Sequence, residues 1–133
     1  LFLNTDYNWR LETAKSGDTK AVADIGSHLL DLLEYVSGLK ITEVMADFHT
    51  VHTTRKKPKI SQIAFSNKDQ EQGKSVGYDE VEIKTEDFAT ILLRFNNGAK
   101  GSATLSQIGA GTRNRLNFEI TGSKGTVSWS NET

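Results

Sequence analysis

No cysteine occurs in the 133 residues. That excludes a disulfide framework, a thiolate metal site and a cysteine nucleophile, and it suits the cytoplasm as the compartment. An excess of either charge is missing too: 16 basic residues face 17 acidic ones, for a formal net charge of -1. Such a balance supplies no field for nucleic acid or for an anionic membrane surface, so neither is expected as a partner. No apolar run approaches the roughly 20 residues a membrane span needs. There is no secretory signal and no initial methionine, so the natural N-terminus is expected to lie elsewhere. A P-loop, a Gly-x-Ser-x-Gly elbow and a His-Glu-x-x-His zinc motif are all absent. Gly109-Ala110-Gly111 starts like a dinucleotide fingerprint and then fails, because Asn114 occupies the position of the third glycine and a strand pattern rather than a helix follows. No cofactor-binding residue is assigned within the chain.

With 36% hydrophobic and 25% charged residues, the composition is that of one ordinary globular domain. Its clearest element is a helix over residues 22–37. Val22, Ile25, Leu29, Leu32, Leu33 and Val36 recur at three- and four-residue steps, and Gly38 is a natural stop, since a glycine readily takes the left-handed conformation. At about 100° per residue, Asp24, His28, Asp31 and Tyr35 gather within roughly 60° on the side away from the apolar stripe. Asp24 lies four residues before His28 and Asp31 three after it, both within reach of the imidazole. A carboxylate beside a histidine favours the imidazolium and selects its tautomer, and a histidine so held can take a proton from a hydroxyl group. The same four residues also fit a solvated face whose charges pair locally.

Residues 1–10 read as an extended segment running into turn-prone Asn4, Asp6 and Asn8, with Trp9-Arg10 as a candidate substrate contact through the planar guanidinium. Residues 12–20 read as a loop. Residues 40–52 read as a strand on which His49 and His52 have opposite phases, so that they cannot share one metal ion; no metal site is expected. Residues 55–59 look like a solvated basic loop around the only proline, and residues 66–80 like a mobile polar loop. From residue 81 strands dominate. Residues 87–95 and 99–108 flank Asn97-Gly98, a strong hairpin signal. The first of these is apolar on both faces, which predicts cover on both sides. A further strand at 113–121 alternates, with Leu116, Phe118 and Ile120 inward, and a last one spans 126–129.

The segment Ala23-Asp24-Ile25-Gly26-Ser27-His28-Leu29-Leu30-Asp31 resembles the glucose–fructose oxidoreductase/inositol dehydrogenase/rhizopine-catabolism (Gfo/Idh/MocA) family. The resemblance extends to Trp9-Arg10, to Glu86-Asp87-Phe88-Ala89, to residues 93–99, to Ser106-Gln107 and to residues 118–126. It implies an α+β fold: an open-faced, mostly antiparallel sheet with a main helix packed on one face. It also implies that residues 1–133 are part of a C-terminal substrate domain, whose N-terminal Rossmann partner would bind NAD or NADP and supply a catalytic lysine. The activity implied is hydride exchange at a secondary hydroxyl or keto carbon of a sugar, inositol or related polyol. His28 would transfer the proton, Asp24 would orient it or bind a substrate hydroxyl, and Trp9, Arg10 and Asp31 would contact substrate. The family pattern further implies a homo-oligomer built through the open sheet face. This chain alone is then expected to be inactive. A non-catalytic sugar- or nucleotide-sensing relative and a redox-neutral NAD-dependent glycosidase are the alternatives. The usual Gly-Gly ahead of the Asp segment is replaced here by Ser16-Gly17-Asp18-Thr19-Lys20.

Overall fold

A computed structural model describes residues 7–59, 77–109, 111 and 114–131. A 3-10 turn (Trp9–Leu11) and a four-residue helix α1 (Thr13–Ser16) come first. A π-helical turn (Val22–Gly26) then leads directly into helix α2 (Ser27–Ser37). Among the described residues seven strands follow: β1 (Ile41–His49), β2 (Thr54–Pro58), β3 (Tyr78–Glu82), β4 (Phe88–Phe95), β5 (Lys100–Ser106), β6 (Asn117–Gly122) and β7 (Gly125–Ser130). They pair antiparallel in three sheets, ordered β1-β4-β5, β2-β3 and β6-β7. The architecture is α+β, mostly antiparallel, with one main helix.

The core forms where α2 crosses the three-stranded sheet. Leu29 packs with Ala89, Ile91 and Leu93 of β4 and with Ala103 and Leu105 of β5, while Val22, Ile25, Leu30 and Leu33 close around them. Alternation along β4 and β5 turns these residues to one face. Gly26 allows the helix to approach so closely: a Cβ there would lie 2.7 Å from Leu105 Cδ1. The helix stops at Gly38 with φ of 69°, as the sequence predicts. The Asn97-Gly98 hairpin also forms, with Gly98 at φ of 86° and Phe95 accepting from its N–H.

Four expectations change. Trp9–Leu11 and Thr13–Ser16 are helical turns rather than extended chain and loop, because Asn8 Oδ1 caps the first at Arg10 N–H and Ser16 Oγ donates back to the Arg10 and Glu12 carbonyls. The basic segment is not a solvated loop: Thr54–Pro58 pairs residue for residue with Tyr78–Glu82, and Arg55 is buried. Residues 66–76 of the predicted polar loop lie outside the described residues, while residues 78–80 are part of β3. Finally, the cover expected on the second face of β4 is not supplied by the described residues. Leu92 is 53% exposed and its cross-strand neighbour Met45 71%. Since α2 sits over β4 and β5, Val44 and Phe48 of β1 are exposed as well. Val36, at the end of the predicted apolar stripe, is also open to solvent.

Candidate functional site

The start of the long helix is shaped from a distance. A regular helix leaves its first N–H groups without internal partners. Here Glu86 Oε1 accepts two of them, from Lys20 N–H at 2.9 Å and Val22 N–H at 2.8 Å, and the Glu86 carbonyl accepts from Ala21 N–H. Ser27 N–H then reaches back five residues to the Val22 carbonyl, the π-helical pattern. Ser27 Oγ donates to the carbonyls of Ala23 and Asp24. Single π turns inside helices recur at functional sites, and this one carries Asp24.

Asp87, the next residue, is buried and caps a different turn, its two carboxylate oxygens accepting from Val51 N–H at 2.8 Å and His52 N–H at 3.1 Å. Lys20 Nζ lies 4.0 Å from Asp87 Oδ2, with both side chains buried. Burial pushes the Lys20 ammonium below its ordinary pKa; the neighbouring Arg55 acts in the same direction, and Asp87 and Glu86 oppose it. Lys20, Arg55, Glu86 and Asp87 thus form a compact group of mixed charge beneath the helix start. Sequence reasoning quoted Glu86-Asp87 for its resemblance and gave it no structural task.

Asp24, His28 and Asp31 are all exposed, on consecutive turns. The widened turn alters the phase between Asp24 and His28. Asp24 Oδ2 accepts from Gln107 Nε2 at 3.1 Å, and among the described residues no ion pair within 4.0 Å joins either aspartate to His28. Trp9 and Arg10 stack on each other, with the guanidinium carbon 4.7 Å from the indole centroid; no bond joins them to Asp24 or His28 among the described residues. Gln107, absent from the sequence-based set of site residues, is the group that touches Asp24. What these side chains offer chemically is hydrogen bonding and proton transfer. Among the described residues no three His, Cys, Asp or Glu side chains are placed to hold a metal ion, and no helix is long and apolar enough to cross a membrane. A shallow groove of ≈ 320 Å³ lies by Met45, Leu92, Arg94 and Lys100, at the opposite end of β5 from Gln107.

Comparison with known proteins supplies the frame. The sequence model of the GFO/IDH/MocA C-terminal domain matches residues 2–128. No curated protein matches the sequence. An oxidoreductase domain protein from Kribbella flavida is 27% identical with a TM-score of 0.74, over 93% of this chain and 29% of that one. An NAD binding oxidoreductase from Klebsiella pneumoniae is 25% identical with a TM-score of 0.74, over 95% of this chain and 28% of that one. The apo form of a levoglucosan dehydrogenase is 26% identical with a TM-score of 0.79, over 97% of this chain and 30% of that one. The chain therefore spans under a third of the length of each of these structures. With its helix-on-open-sheet architecture and a family match over nearly its whole length, this chain belongs to the GFO/IDH/MocA C-terminal domain family.

Proposed function

We propose that this chain is the substrate domain of a cytoplasmic NAD- or NADP-dependent dehydrogenase that acts on a secondary hydroxyl or keto group of a sugar, inositol or related polyol. The observation that carries the reading is the exposed Asp24–His28 pair on the first turns of the main helix, with the Asp24 carboxylate held from outside the helix. The levoglucosan dehydrogenase and the NAD binding oxidoreductase among the similar structures support it. Asn114 stands where a dinucleotide fingerprint requires glycine, and β6 rather than a helix follows. The cofactor, which accepts or gives the hydride, is thus assigned to a domain outside this chain, and the chain alone is expected to be inactive.

In this reading His28 moves the proton of the reacting hydroxyl, the general acid–base role open to an imidazole. Asp24 orients the substrate hydroxyl or the imidazole. Asp31, one turn on, and the Trp9–Arg10 stack contact the remaining hydroxyls. Copies of the protein pair through the open face of the three-stranded sheet.

The test is on the full-length protein. It is incubated with NAD and then NADP against a panel of sugars and inositols, and reduced-nicotinamide absorbance is followed. Net reduction with at least one polyol is expected. His28→Ala should lower kcat by roughly 10²–10⁴-fold, the range of general acid–base contributions, with an unchanged melting temperature because the side chain is exposed. Cofactor binding without net reduction for any substrate would instead favour a sugar sensor or a redox-neutral glycosidase.

A further inference from the structure

Gln107 follows directly on β5 and is half-buried. Its amide nitrogen donates to Asp24 Oδ2 at 3.1 Å. A carboxylate only accepts, so the amide has to present its nitrogen there and turn Oε1 away. That oxygen is buried and has no hydrogen-bond partner among the described residues. Buried unpaired polar atoms are uncommon and call for a physical reason. Here the cost is tolerated in the one orientation that delivers the N–H to Asp24.

The backbone confirms that the contact is held from both sides. Glu86 accepts the N–H groups of Lys20 and Val22, which fixes the turn bearing Asp24. The carbonyl of the adjacent Asp87 accepts Gln107 N–H at 2.9 Å. Two consecutive residues just ahead of β4 thus set the spacing between Asp24 and Gln107. We propose that Gln107 is a positioning residue: its amide occupies Oδ2 of Asp24, fixes the carboxylate plane, and leaves Oδ1 as the acceptor presented to a hydroxyl-bearing substrate. This role rests on the reading of Asp24 and His28 as the reacting pair.

A double-mutant cycle on the full-length enzyme tests it. Gln107→Leu should lower kcat/KM roughly ten- to hundredfold, the effect of losing one hydrogen bond to a charged group, with the loss mainly in kcat. Gln107→Asn, too short to reach, should behave alike and guards against a folding defect in the leucine variant. In an Asp24→Ala background, where no side-chain acceptor remains, the Gln107→Leu change should add no further loss, since its effect passes through the carboxylate. Losses that multiply would overturn the proposal. A crystal structure of full-length Gln107→Asn gives a readout independent of turnover: the Asp24 carboxylate should leave its present orientation, and an unmoved carboxylate overturns the proposal. A wild-type protein inactive on every polyol would sink the dehydrogenase reading while the Asp24 orientation still reports on Gln107.

Discussion

Glu34 bridges the end of α2 and the start of β1. Its Oε1 accepts from Ile41 N–H at 2.8 Å and its Oε2 from Lys40 Nζ at 2.6 Å. The Lys40 hydrogen bond, then that of Ile41, holds the carboxyl below its usual 4.5. Because the folded value is the lower one, the stabilisation is complete above the unfolded value and is lost as pH falls through the folded value. Denaturation midpoints taken from about pH 5 to about pH 3 should therefore fall more steeply for the wild type than for Glu34→Gln. Other single residues divide by how local their partners are. Asp24 and His28 drew notice because a four-residue step on a regular helix brings side chains to one region, whereas the π turn over Val22–Gly26 shifts that phase. Gln107 was marked only by the resemblance at Ser106-Gln107, because its bond to Asp24 spans 83 positions and no local spacing announces that partner.

The same division governs the elements. The body and end of the long helix follow from a local apolar period and from Gly38. Its beginning does not, because the π turn depends on a carboxylate 64 residues beyond Val22. Strand β2 was hidden for a related reason: three basic residues in five look solvated until β3 pairs with them and Arg55 is covered. Glu86 gives the test at this scale. Glu86→Ala would leave the Lys20 and Val22 N–H groups without an acceptor and should cost roughly 2–4 kcal/mol, read by chemical denaturation. Glu86→Gln keeps an acceptor oxygen and should lose less than half as much. Equal losses would show that the charge, rather than the two hydrogen bonds, stabilises the helix start.

Across the whole molecule, one face of the three-stranded sheet is closed by the helix and the other is open. Met45 and Leu92 stand side by side at its centre, flanked by the Glu43–Arg94 ion pair at 2.8 Å. An apolar centre with a polar rim is the usual make-up of a protein interface. If copies of the full-length protein pair here, as proposed, a Met45→Lys/Leu92→Lys variant should sediment as a smaller species than the wild type, at unchanged helix content. Identical sedimentation of the two would exclude this face. The apolar second face of β4 could be read in the alternation of residues 88–95; what covers it could not, because alternation records a need for cover and carries no information about its source.

The two tryptophans stand at the periphery of this architecture. Trp129 stacks on Phe118 across the β6–β7 hairpin with centroids 5.7 Å apart, and Trp9 lies beneath the Arg10 guanidinium. Neither belongs to the cluster around Leu29 and Ile91. Intrinsic fluorescence is therefore a probe of the hairpin and the N-terminal turn, and is nearly blind to the helix–sheet seam. A melt followed by emission and one followed by far-ultraviolet dichroism should not superimpose wherever these parts loosen separately. Trp129→Phe would leave Trp9 as the sole tryptophan of this chain and, with excitation selective for indole, assign each optical signal to its own end of the fold.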